Sequence, residues 1–263
     1  MVDYALARRS RNVASNMVHV LLNLLLGVGA VLVTVLSNNP TLGLILVLAS
    51  KWRVFAVRSR YIWLNFKSNL VDLIVGLSVV LLAYFSGAEF LPVHFLLMAF
   101  YSVWLLFIKP KSSDFMTSLQ SLIAVFMGTS AAVIAVMMTN PENVLTLVIV
   151  EFIIGYAGSR HVLAQSDDRN FNFSTMICGL VFAEIAWLSH SWLIVYPFSE
   201  TGIQIPQLSI VLTIFAFLYN YARAAMIKYR DDFRFKQIAL PVIWGVLLIG
   251  VIVILFSNPK FHI

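Results

Sequence analysis

Charged side chains are scarce in this sequence. Asp, Glu, Lys and Arg make up 11% of its 263 residues, against roughly 25% in water-soluble domains. Hydrophobic residues reach 60% and the mean hydropathy is +0.90. That balance excludes a soluble globular domain and makes the chain an integral membrane protein. Cysteine is scarcer still. Cys178 stands alone inside an apolar stretch, so neither a disulfide framework nor a C-x-x-C metal or redox pair is available.

Catalytic patterns are missing too. No G-x-S-x-G, H-E-x-x-H or G-x-x-x-x-G-K-[ST] occurs, which removes the serine hydrolase, zincin and P-loop readings. His19, His94, His161, His190 and His262 have no ligand spacing with acids or thiols. A retinal pigment needs a lysine deep in a late helix, and residues 238–257 contain none. The acid pairs Asp167-Asp168 and Asp231-Asp232 each precede an apolar run. Acids there complement a helix N-terminus; a Mg²⁺ site for phosphoryl chemistry on a lipid is the lesser reading. No catalytic residue, metal or cofactor is expected, and an enzyme is disfavoured.

Long apolar windows fill the rest. They lie at residues 17–37, 70–86, 91–108, 116–139, 143–162, 174–196, 207–227 and 238–257, each near the length of about 20 residues that crosses a bilayer. Arg8, Arg9 and Arg11 precede the first, but it exceeds a signal-peptide core and no A-x-A site follows. It reads as a retained span. A ninth crossing near 41–60 is harder to place, because Lys51 and Arg53 interrupt it.

Charge asymmetry favours that ninth crossing. With it, and with the N-terminus inside, every Lys and Arg except Lys260 falls on the cytoplasmic side. Without it, the three N-terminal arginines separate from the later basic loops. The +6 net charge is then an orientation signal that attracts anionic headgroups, not a nucleic-acid surface. Lys51 and Arg53 would snorkel toward the inner face, and the C-terminus would lie outside.

The chain also compares with itself. At one offset His19, Asn23, Gly27, Ala30, Thr34 and Asn39-Pro40 face Gln120, Ala124, Gly128, Ala131, Ala135 and Asn140-Pro141. Asn65-Phe66 then matches Asn172-Phe173, Pro92 matches Pro206, and Asp114-Phe115 matches Asp232-Phe233. The expected fold is an all-α polytopic transmembrane bundle of nine spans in a 4+4+1 arrangement, with no soluble domain. Its parallel repeats would cover residues 12–112 and 113–230, and residues 231–263 would supply the last span. Asn-Pro and small residues are also ordinary helix-boundary and packing chemistry.

Three stripes face protein in this reading. Ser121, Ala124, Gly128, Ala131 and Ala135 form a small-residue packing face. His19, Asn23, Gly27, Ala30, Thr34 and Ser37 form a more polar one. Ser209, Thr213, Ala216, Asn220 and Arg223 form a seam whose inner end suits an anion or a headgroup anchor.

Glu151 and Glu184 fall near midspan, where an ionisable group is costly and by default functional. They are expected to be hydrogen-bonding side chains, members of a buried network with Lys51, Arg53 and Asp72, or a proton or cation relay. The leading expectation is a secondary transporter or permeation protein for a small solute. Its pathway residues would be Glu151, Glu184, Lys51, Arg53, Asp72, Asn220 and Arg223. The alternative is a nonenzymatic scaffold or lipid-binding subunit of a membrane complex, suggested by the basic face of Lys51, Arg53, Arg58 and Arg60. Expected partners are bilayer lipids, anionic headgroups at the cytoplasmic face, and a small solute or partner membrane protein. Short connections suit a prokaryotic plasma membrane.

Overall fold

The computed structural model describes residues 2–56, 58–87, 91–164, 170–198, 203–229 and 233–256. They form a helical bundle in which seven helices are long and apolar enough to cross a membrane. An eighth candidate is a pair bent by 60°.

Helix α1 (Val2–Ser37) ends in a tight turn at Asn38 and Asn39. Asn38 takes a φ of 46°, which asparagine tolerates better than most side chains. The Asn39 side chain then accepts from Thr41 N at 2.8 Å, and Pro40 opens α2 (Pro40–Ser50), where its missing N–H costs nothing.

Helix α2 returns along α1 and also lies against α5 (Leu70–Phe85). A Cβ on Gly43 would meet Thr34 Oγ1 and come within 2.9 Å of Val80, and one on Gly76 would lie 2.7 Å from Val47. One helical turn further, Lys51 meets Asp72. Residues 43, 47 and 51 therefore oppose residues 80, 76 and 72. The register is antiparallel, set by two glycines and one ion pair.

The 41–60 segment is not one helix. It breaks at Lys51 into α2, the single turn α3 (Trp52–Phe55) and the start of α4 (Ser59–Ser68). Helix α4 carries Arg60, Tyr61, Trp63 and Lys67 and joins α5 at the 60° bend. An amphipathic helix at that angle suits an interfacial position.

Helix α6 (Leu91–Val103) continues as a π-helical segment, Trp104–Ile108. Then come α7 (Asp114–Thr139), α8 (Val144–Leu163) and α9 (Phe171–Ser189), with Ser113 and Asn143 as side-chain N-caps of α7 and α8. The window at 174–196 does not stay helical to its end. A 3₁₀ turn follows α9, and β1 (Val195–Phe198) pairs antiparallel with β2 (Ile203–Pro206) before α10 (Gln207–Lys228) and α11 (Lys236–Leu255).

Two apolar cores result. One gathers α1, α2, α5 and α6; the other gathers α8, α9 and α10. Helix α7 gives Ala124 and Met127 to the first and Val125, Ala132, Val133 and Val136 to the second, so it is the shared wall. Helix α11 is peripheral, with Ile238 its one buried residue.

Candidate functional site

Asp72 lies in the first turn of α5 and is buried. Its Oδ2 receives Lys51 Nζ, from the break after α2, and Lys109 Nζ at 2.6 Å, from the end of the π segment. Its Oδ1 accepts from Trp104 Nε1 at 3.0 Å. Two cations on one carboxylate leave a formal charge of about +1 in the cluster. Lys51 is buried with the acid, whereas the Lys109 side chain is 39% exposed.

The π turn is closed by Lys109 N donating to Trp104 O at 2.8 Å. Past that turn the helix ends, and its last carbonyls lack α-helical donors; Ile108 O keeps a turn bond from Lys111 N, at 3.2 Å. Gln120 of α7 supplies a further donor, with Nε2 donating to Ile108 O at 2.7 Å and Lys111 O at 2.8 Å. Its Oε1 must then accept, so His161 of α8, 2.7 Å away, presents a protonated Nε2.

The expected network is therefore partly formed. Lys51 and Asp72 meet; Glu151 does not join them. The Arg53 side chain lies outside the described residues, as do Asp167, Asp168, Asp231, Asp232 and Lys260. Lys109, Trp104, Gln120 and His161 were not anticipated as partners. Lys109 directly after an apolar window is the one signal pointing to it.

Glu151 is fully buried in α8. Thr129 Oγ1 of α7 donates to its Oε2 at 2.9 Å, and Oε1 has no hydrogen-bond partner. Among the described residues no cation forms an ion pair with it. Glu184 is exposed on α9 beside Leu180, Trp187 and Leu188, so the two glutamates do not share a site.

The polar seam of α10 faces α7. Ser209 and Thr213 donate to the carbonyls of Pro206 and Ser209 at 2.7 and 2.6 Å, Ala216 is buried, and Asn220 reaches Ser121. Its hydroxyls are thus committed to carbonyls of the α10 start, and its Asn220 to α7. Arg223, one turn on, is half-buried.

A large cavity lies elsewhere among the described residues. A groove of about 790 Å³ runs between α5, α7 and α8, past Leu70, Leu77, Ala131 and Ile154, with Trp63, Phe66 and Lys67 of α4 at one end. The small-residue face of α7 makes this room. Gly128, Ala131 and Ala135 line the groove, while Ser121 on the same face donates to Gly158 O at 2.9 Å and closes the α7–α8 contact. Ser78 also lines it, but its hydroxyl is committed to Ile74 O at 2.7 Å. Lys67 Nζ sits 4.9 Å over the Trp63 ring at that end. The groove meets the surface at Trp63, Ile153 and Met176, all exposed.

No family pattern, curated protein or solved structure matches the chain. Among the described residues no group of three or more His, Cys, Asp or Glu side chains could hold a metal ion.

Proposed function

We propose that this integral membrane protein is a nonenzymatic lipid-binding protein whose ligand chain lies in the α5–α7–α8 groove. The observation that carries the reading is the chemistry of the lining: an apolar trough with a lysine and a tryptophan at one end. Such a surface offers a hydrocarbon chain dispersion contacts along its length and a phosphate a cation at the headgroup level. A polar solute would find few hydrogen-bonding groups there. Ala135→Trp fills the groove from its half-buried wall. In detergent extracts it should lower the phospholipid retained per protein, measured by native mass spectrometry, with the helical circular dichroism unchanged. Equal retention in both proteins would remove the proposal.

The transporter reading keeps one observation in its favour. Glu151 is a fully buried midspan carboxyl with an oxygen left unpaired, as a proton or cation carrier requires. Abolition of a measured solute flux by Glu151→Gln, at normal membrane abundance, would restore that reading over the first.

The topology proposed with either function has nine crossings, with the N-terminus cytoplasmic, in a prokaryotic plasma membrane. The register of α2 along α5 supports the second crossing. Lys51 ends level with the first turn of α5, so the 11 residues of α2 run beside about two-thirds of that 16-residue helix. A 4+4+1 repeat is supported by α1 packing on α2 and α6 as α7 packs on α8 and α10.

A further inference from the structure

The groove between α5, α7 and α8 has a single charged residue in its lining, Lys67, and that residue stands at the α4 end. Beyond it the lining is apolar. From Leu70 to Leu81 the α5 wall rises about 16 Å, close to the half-thickness of bilayer hydrocarbon, about 15 Å. The trough is as long as the acyl layer of one leaflet.

The charge at its end is unbalanced. Helix α4, Ser59–Ser68, contains no acid, and among the described residues no carboxylate forms an ion pair with Lys67. Arg60 lies on the same face of α4 as Trp63 and Lys67, is exposed, and stacks on Tyr61 at 4.6 Å. It adds a second cation without an acid. Asp72, the next acid along the chain, is buried and already held by Lys51, Lys109 and Trp104, so it offers nothing to a headgroup ammonium. Lys67 is half-buried, and with three N–H donors its ammonium can rest on the Trp63 ring and still donate to an oxygen.

We infer that the groove selects an anionic phospholipid, one whose phosphate is not offset by a headgroup ammonium, with the phosphate at Lys67 and an acyl chain along α5. A phosphatidylglycerol has this form. A choline or ethanolamine headgroup brings an ammonium to a place that holds two cations and no free carboxylate, and is disfavoured by that repulsion. The inference rests on the lipid reading of the groove and adds the headgroup class to it.

The test offers lipids of identical chains in pairs to the full-length protein in detergent, read by native mass spectrometry. Phosphatidylglycerol competes with diacylglycerol, which lacks the anion altogether, and with phosphatidylcholine, which adds the ammonium. Wild type should prefer phosphatidylglycerol to diacylglycerol about fivefold, the effect of one basic side chain on an anionic headgroup, and should prefer it to phosphatidylcholine as well. Lys67→Gln should bring the first ratio close to one, and Lys67→Arg should keep it. Lys236→Gln removes the same charge at an exposed site on α11, outside the groove, and should leave the ratio unchanged. Equal binding in either wild-type pair, a preference that survives Lys67→Gln, or one lost equally in Lys236→Gln would overturn the inference. Each of those results leaves the groove reading in place as long as Ala135→Trp lowers the retention of both lipids. Equal retention in Ala135→Trp removes that reading, and this inference with it.

Discussion

Lys51 and Asp72 form a buried ion pair at the point where the second helix breaks, across 21 residues of sequence. The pair ties the C-terminal end of α2 to the first turn of α5, and Lys109 and Trp104 bring in the π-helical continuation of α6. Removing the acid leaves two neighbouring cations in a low-dielectric site. Asp72→Asn is expected to destabilise the protein by about 3–5 kcal/mol. Lys109→Met, at a partly exposed side chain, should cost about 1 kcal/mol or less. Denaturant titration in micelles distinguishes them, and a reversed order would refute the account.

Trp104 is one of the largest fully buried side chains, and its indole N–H donates to the same carboxylate. Trp104→Phe keeps most of the ring and loses that donor, for an expected cost of about 1.5–3 kcal/mol. In a double-mutant cycle the loss should shrink once Asp72 is already Asn. Strict additivity would show that the hydrogen bond contributes little.

Glu151 accepts from Thr129 and pairs with no described cation. Its shape and acceptor oxygen therefore matter more for folding than its charge. Glu151→Gln should leave the unfolding free energy, read by denaturant titration, within about 1 kcal/mol of wild type, whereas Glu151→Leu, which leaves Thr129 without its acceptor, should cost about 1–3 kcal/mol. A collapse of the Gln variant would point to a cation paired with Glu151.

Close packing of α8 on α9 depends on Gly155, where an added Cβ would lie 2.5 Å from Phe182 Cγ. Gly155→Ala should destabilise by about 1–3 kcal/mol through overpacking. Gly250, on α11, has nothing within 4 Å of that position. Gly250→Ala should be neutral or slightly stabilising, and comparable losses at the two sites would contradict this packing.

Cys178 is buried, so impermeant maleimide labelling of the folded protein starts from a low background. With nine crossings, Ser37→Cys is labelled in intact cells and Ser68→Cys only after permeabilisation. Labelling of both from one side would remove the second crossing and, with it, the parallel repeat.

Much of the architecture was legible from hydropathy, because an apolar run has to satisfy its own backbone in lipid and the helix does so locally. Residues 17–37, 91–108 and 207–227 lie within or coincide with long helices for that reason. The break at Lys51 was foreshadowed by its charge. The β1–β2 hairpin was not, since Val195, Tyr196 and Ile203 are as apolar as any span. The candidate site was half legible. Asp72 and Lys51 stood out as charges among apolar residues, but nothing in a linear pattern separates Glu151, enclosed by α7, from Glu184 on the outer face of α9.

What the sequence determined alone was solvent: a bilayer, because so little charge is available for water, while its basic residues supply an expectation of which face is cytoplasmic. Which polar groups meet was decided only by the tertiary structure. Pairing depends on helix rotation and register, and these are set by where two glycines let α2 approach α1 and α5 and by which side chains of α7 are small enough to leave a groove.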